Sequence, residues 1–203
     1  MPTNKLKNQL HLHFIVFIWG FTAILGALIS IDAIPLVWFR VFLASFTLFI
    51  FLKIRRVPFK ENSGDLVKFL IGGILVALHW VTFFYAIKIS TVSTTLITLS
   101  SSAFFVVIFK PFFERKKFEA YEMVLAIFTI LGFVIIFRSE KLYTEGMLIA
   151  LVSAMLVALF SLYNSKLVRS YTGSKIAFYE LFFAGLFLSV ILLFTGEFSL
   201  AFF

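Results

Sequence analysis

The chain has no cysteine and little charge. Without thiols it forms no disulfide, offers no thiolate metal site and carries no cysteine nucleophile. Charged residues make up 14% of the 203 positions against 62% hydrophobic ones. A soluble domain runs at about 25% charge and about 45–50% apolar content, so a water-soluble globule is excluded and the chain belongs in a lipid bilayer. Two further absences narrow the chemistry. No Gly-x-Ser falls inside an apolar run, which removes the nucleophile motif that a rhomboid-like intramembrane serine protease wants. The last apolar run has only Lys175, at its edge, where a light-driven pump needs a Schiff-base lysine within the span. No second His, Asp or Glu stands at ligand spacing from His79, so neither a metal nor a cofactor is expected.

What is present is a succession of long apolar runs, at about 13–31, 35–53, 66–87, 91–109, 120–137, 146–164 and 175–195. Crossing hydrocarbon takes about 20 helical residues. Membrane barrels use alternating segments of about ten, and a helix satisfies its own backbone hydrogen bonds. The fold class predicted is an all-α polytopic membrane protein with about seven transmembrane helices. Phe14–Ile31 is longer than a signal-peptide core and lacks a small-residue cleavage site, so it reads as a retained first span.

The net charge of +8 reports topology rather than a nucleic-acid partner. Of the 18 Lys+Arg, only Lys88, Arg138 and Lys141 fall on one side of the predicted spans, and Arg40 lies within one. The rest, Lys60 and Lys116 among them, collect on the other side, which marks the cytoplasm and places the N-terminus there.

An internal repeat is also visible. At an offset of 140, the segment from Pro35 to Ser45 lies over that from Lys175 to Gly185, with two aromatics before a membrane charge, Arg40 or Glu180, in each. Phe42/Phe182, Ala44/Ala184, Leu48/Leu188 and Leu52/Leu192 are identical at this offset, where about one or two matches would arise by chance. The second span then corresponds to the seventh, and an odd unit of five spans makes successive copies inverted.

Ionisable groups inside spans are the first functional candidates, because charge at bilayer depth is costly. Arg40 either snorkels and bonds backbone carbonyls or serves a substrate anion or a gate. Glu180 is either paired or protonated, or has a functional role. His79, with Val76 and Phe83 one helical turn away, either bonds a neighbouring helix or presents its imidazole to a substrate or a proton. Thr94, Thr98 and Ser102 share a stripe of a hydroxyl-rich segment that lines a cavity or packs closely. Trp19-Gly20 and Tyr163-Asn164 present the same choice between cavity and interface.

Several motifs occur in a definite order. They are Trp19-Gly20 in the first span, Pro35 followed by Arg40, Tyr85-Ala-Ile with Ser90 to Ser93, Phe113-Glu114-Arg-Lys, then Gly132 and Gly146. Together they resemble the EamA-type transporters of the drug/metabolite transporter superfamily. The resemblance implies ten spans in two inverted five-span repeats around a central cavity, with alternating access and transport that is often outward. On that basis residues 1–142 form a first EamA-like repeat and 143–203 the first two spans of a second, with three more spans expected after Phe203.

The expected protein is a bacterial inner-membrane permease for an amino-acid-like or drug-like metabolite, an exporter and not an enzyme. Trp19, His79, Trp80, Phe83, Thr94, Thr98 and Asn164 are the expected substrate contacts. Arg40 and Glu180 are expected as gating or charge partners, and His79 or Glu180 as carrier of a coupled proton. Expected partners are a small-molecule substrate and the lipid bilayer, with a homodimer or further C-terminal spans, and no nucleic acid. The competing readings are a truncated or non-transporting membrane protein and an intramembrane serine protease. Two departures from the family pattern stand out. The Ser100 to Ala103 stretch replaces a frequent proline, which predicts a weaker helix break, and Lys110-Pro111 stands where some members have Glu-Pro.

Overall fold

A computed structural model describes residues 3–59, 61–115, 117–139 and 143–195. Lys60, Lys116 and Lys141 of the charge count, the repeat boundary at 142 and Phe203 lie outside the described residues. The helices are α1 (Thr3–Leu28), α2 (Ala33–Ile54), α3 (Ser63–Ile89), α4 (Val92–Leu99), α5 (Ser102–Glu114), α6 (Ala120–Ser139), α7 (Thr144–Leu167) and α8 (Gly173–Thr195). With α4 and α5 taken as one run, Val92–Glu114, six helices among the described residues are long and apolar enough to cross a membrane, and Ala120–Ile135 of α6 is a shorter apolar helix. The protein is thus an all-α, multi-pass membrane protein, and each apolar run of the sequence has its helix. α1 begins about ten residues before its apolar run, since no Gly or Pro interrupts Thr3 to Trp19 and helical hydrogen bonding does not stop where hydropathy falls.

Local chemistry sets the helix ends. Asn62 Oδ1 accepts the Asp65 N–H at 2.8 Å to cap α3, and Thr91 Oγ1 accepts the Thr94 N–H at 3.0 Å to cap α4, each satisfying an otherwise orphaned donor. Pro35 sits in the first turn of α2, where its missing N–H costs no helical bond. Serines make the break between α4 and α5. Ser100 Oγ donates to Ile97 O at 2.6 Å and Ser101 Oγ to Thr98 O at 2.7 Å. The backbone there turns to i−3 bonding, with Ser101 N to Thr98 O, Ala103 N to Ser100 O and Phe104 N to Ser101 O. Hydroxyls competing for the carbonyls of the preceding turn bend the helix without a proline.

α3 is the centre of the bundle, packed by α7, α8 and α2. It runs antiparallel to α7: the Tyr163 hydroxyl donates to Lys68 O at 2.9 Å, His79 meets Ser153, and Gly146 lies against Ser90. Gly146, Ala150, Ala154 and Ala158 recur every fourth residue of α7 and are all buried, so the two backbones approach closely. α8 lies parallel to α3, with the rings of Phe69 and Tyr179 stacked at 5.0 Å. A Cβ on Gly73 would fall 2.6 Å from Glu180 O and 2.9 Å from Phe183 Cβ.

α2 packs antiparallel on α8. Trp38 Nε1 donates to Ser189 Oγ at 2.8 Å, Phe42 lies on Gly185, and the rings of Phe49 and Phe178 are 6.0 Å apart. Each step up α2 is matched by an equal step down α8. At the offset of 140, Trp38 corresponds to Phe178 and Phe49 to Ser189, so the outer two contacts exchange places when the helices are interchanged. α1 is sparsely covered, touching α3 where Gly26 admits the Phe84 ring and where Lys88 Nζ donates to Ile29 O at 3.0 Å. α6 is tied to α5 by Lys110 and Glu122 at 2.5 Å, so Lys110 is the cation of an interhelical ion pair at the position where some family members carry an acid.

Candidate functional site

Polar side chains are sparse in this bundle, and apart from Ser45 of α2 the buried ones lie on α3, α7, α8, α4 and the α4–α5 break. His79 in α3 is 8% exposed. Its Nδ1 lies 3.0 Å from Ser153 O and 2.8 Å from Ser153 Oγ, while Ser153 Oγ donates to His79 O at 3.0 Å. Because Ser153 O can only accept, Nδ1 donates to it, and the imidazole crosslinks α3 to α7. His79 thus bonds a neighbouring helix through Nδ1.

The aromatic wall next to it is formed. Phe83 is buried with its ring 6.1 Å from that of His79, and it meets Phe84 edge-on at 5.2 Å. Arg40 of α2 places its guanidinium 4.6 Å from the Phe84 ring centroid and 5.1 Å from that of Trp80. Arginine over ring faces inside a bundle is stabilised by the ring quadrupole as well as by shielding from lipid. Thr94 and Thr98 are buried in α4. Thr94 Oγ1 accepts from Thr91 Oγ1 at 2.8 Å, whereas Thr98 Oγ1 is sealed from solvent without a hydrogen-bond partner.

A second polar point lies deeper toward the Ser63 end of α3. Glu180 of α8 is 2% exposed. Its Oε2 accepts from Asn164 Nδ2 of α7 at 3.1 Å, and its Oε1 lies where a Cβ on Gly72 would be. Gly72-Gly73 is thus the notch in α3 that admits the carboxyl. Both Glu180 Oε1 and Asn164 Oδ1 are buried without a hydrogen-bond partner.

The structure brings His79, Trp80, Phe83 and Arg40 into one neighbourhood and Asn164 with Glu180 into another. Arg40 and Glu180 do not pair with each other. Gly72, which holds Glu180, and Phe84, which holds Arg40, are twelve residues apart on α3, about 18 Å at 1.5 Å per residue. Trp19 is not brought to either group; it is 67% exposed on α1. Sequence reasoning missed Ser153 as the partner of His79 and Gly72-Gly73 as the seat of Glu180. The four-residue spacing of small residues in α7 was the available signal for the first, since Ser153 adjoins that stripe. Among the described residues no group of three or more His, Asp or Glu could hold a metal ion.

The model of the EamA-like transporter family matches residues 10–138, from α1 into α6. No curated protein and no solved structure matches the chain.

Proposed function

The chain belongs to the EamA-like transporter family, and from that premise we propose that it moves a small amino-acid-like or drug-like metabolite outward across a bacterial inner membrane by alternating access. Family membership and several membrane-length apolar helices make it a membrane protein of transporter type, which fits the reading that it is not an enzyme. The observation that carries the finer reading is the concentration of buried polar side chains on α3 and on the helices α4, α7 and α8 that pack against it. Thr98 Oγ1 is sealed there without a partner, an arrangement that is costly in hydrocarbon unless the surface is used. In this proposal Trp80, Phe83, Thr94, Thr98 and His79 line the substrate path, Asn164 and Glu180 close its inner end, and Arg40 belongs to the outer gate. Trp19 contributes where α1 moves against the seam.

The proposed layout has residues 1–142 as one five-span unit and 143–203 as the start of an inverted second, with the N-terminus in the cytoplasm. The exchange of contacts between α2 and α8 at the offset of 140 supports this layout, as an inverted repeat would relate those two helices by a two-fold axis.

The natural absence of cysteine makes the test direct. Thr98→Cys in cells or oriented vesicles should react with a membrane-impermeant thiol reagent from each face, and conditions that favour reaction from one face should suppress it from the other. Labelling from one face only, or none after the protein is opened by denaturant-free detergent, would overturn alternating access at this seam.

A further inference from the structure

The Glu180–Asn164 pair is incomplete by one proton. Asn164 Nδ2 supplies one donor to Glu180 Oε2 at 3.1 Å. Across the same pair two oxygens, Glu180 Oε1 and Asn164 Oδ1, are buried with nothing donating to them. An ionised carboxylate held by one neutral donor inside an apolar bundle is far more costly than a neutral acid with its hydrogen bonds made. We infer that Glu180 and Asn164 form a proton-binding site, in which a proton on the free carboxyl oxygen donates to the amide oxygen and closes a carboxylic acid–amide pair. With the amide O and N exchanged, the amide oxygen would face Glu180 Oε2 at 3.1 Å and the same single proton would be needed between them.

Among the described residues no side chain donates to either oxygen. On α3, Lys68 is one turn from Gly72 but is held by Asp65 at 2.7 Å, and His79 is seven residues further on, about 10 Å, bonded to Ser153. On α7, the Tyr163 hydroxyl donates to Lys68 O, and Lys166 Nζ lies over the Phe113 ring at 4.9 Å. On α8, Tyr179 donates to Phe59 O, and Lys175 pairs with Glu61. The two cations of α2 are turned to rings, Arg40 to Trp80 and Phe84 and Lys53 to Phe49.

Release of the proton breaks the O–H bond, leaves both electrons on Glu180 and delivers H⁺ to water. The resulting carboxylate faces the Cα of Gly72, so α8 or α7 must draw away from the Gly72-Gly73 notch to let water reach it. Proton occupancy and the closure of three helices are therefore linked. The coupling of this step to substrate movement rests on the transport reading above, whereas the site itself does not.

The test is infrared spectroscopy of the purified full chain in lipid at neutral pH. The expected result is a protonated-carboxyl carbonyl band that shifts on ¹³C-glutamate labelling, is lost in Glu180→Gln and moves toward the free-acid frequency in Asn164→Leu. Absence of the band in the wild type, its persistence in Glu180→Gln, no movement in Asn164→Leu, or its loss on adding sodium ions in favour of a cation-bound carboxylate would each overturn the proposal. The isotope shift in the unmodified sequence is readable even where a variant does not fold. If the band behaves as expected while Thr98→Cys shows no alternating access, the transport reading fails and the proton site stands.

Discussion

Gly73→Ala is the sharpest perturbation of the α3–α8 contact. The added Cβ would lie 2.6 Å from Glu180 O, 2.9 Å from Phe183 Cβ and 3.1 Å from Ala184 N, and ordinary contact begins at about 3.5 Å. Two of these three atoms belong to the backbone of α8, so no side-chain rotation relieves the overlap and α8 must retreat by about 1 Å. A gap of that size forfeits roughly a quarter to a half of the dispersion gained by the atoms along the seam, including the stack of Phe69 on Tyr179 and the buried Ala184 and Leu188. Overpacking of this kind costs about 1–3 kcal/mol. The helix-propensity gain of Ala over Gly, about 1 kcal/mol in water, is largely cancelled because the separated segments stay helical in the membrane. The net expectation is a loss of about 2 kcal/mol, roughly a 30-fold shift of the folding equilibrium. Reversible unfolding in mixed detergent measures it, with Gly132→Ala as the control, since nothing lies within 4 Å of a Cβ there and the change should stay within about 0.5 kcal/mol. Equal stability of the two variants would refute the close approach of α3 and α8.

His79→Ala and Ser153→Ala, made singly and together, should show a coupling of about 0.6 kcal/mol in the same unfolding measurement, the average for one interhelical hydrogen bond, because only the Ser153 Oγ–His79 Nδ1 contact joins the two side chains and the other two bonds end on backbone carbonyls. Coupling near zero would mean that the Ser153 hydroxyl does not hold the imidazole; transport should weaken in His79→Ala while membrane insertion is retained. Ser100→Ala with Ser101→Ala removes both hydroxyl–carbonyl bonds at the break and should let α4 and α5 run as one straighter helix. A distance measured between spin labels at the exposed ends of Val92–Glu114 should lengthen, and an unchanged distance would assign the break to tertiary packing instead.

Much of the architecture was legible along the chain. Hydropathy located every helix because a bilayer demands an apolar run of nearly fixed length and an internally bonded backbone, whatever the neighbours are. The break near Ser100 was foreseen only as a weakened one, since two serines bending a helix depend on hydroxyl rotamers that the sequence does not specify. The site was half legible. Arg40, His79 and Glu180 announced themselves by their cost at membrane depth, but which partner meets that cost was not readable. His79 is bonded to Ser153, 74 residues away, Arg40 found rings rather than a carboxylate, and Trp19, which looked like a companion of the others, faces outward.

Composition and apolar run length by themselves determined that this is an all-helical membrane protein, and the motif order pointed to its family. Only the tertiary structure decided that Gly72-Gly73 is a notch for Glu180 and that the carboxyl and the Asn164 amide share a sealed pair with two unanswered oxygens. The physical reason is that solvation by lipid is a one-dimensional property, summed along a segment. Satisfaction of a buried polar atom is instead a three-dimensional one, set within a few ångströms by side chains from helices distant in the chain.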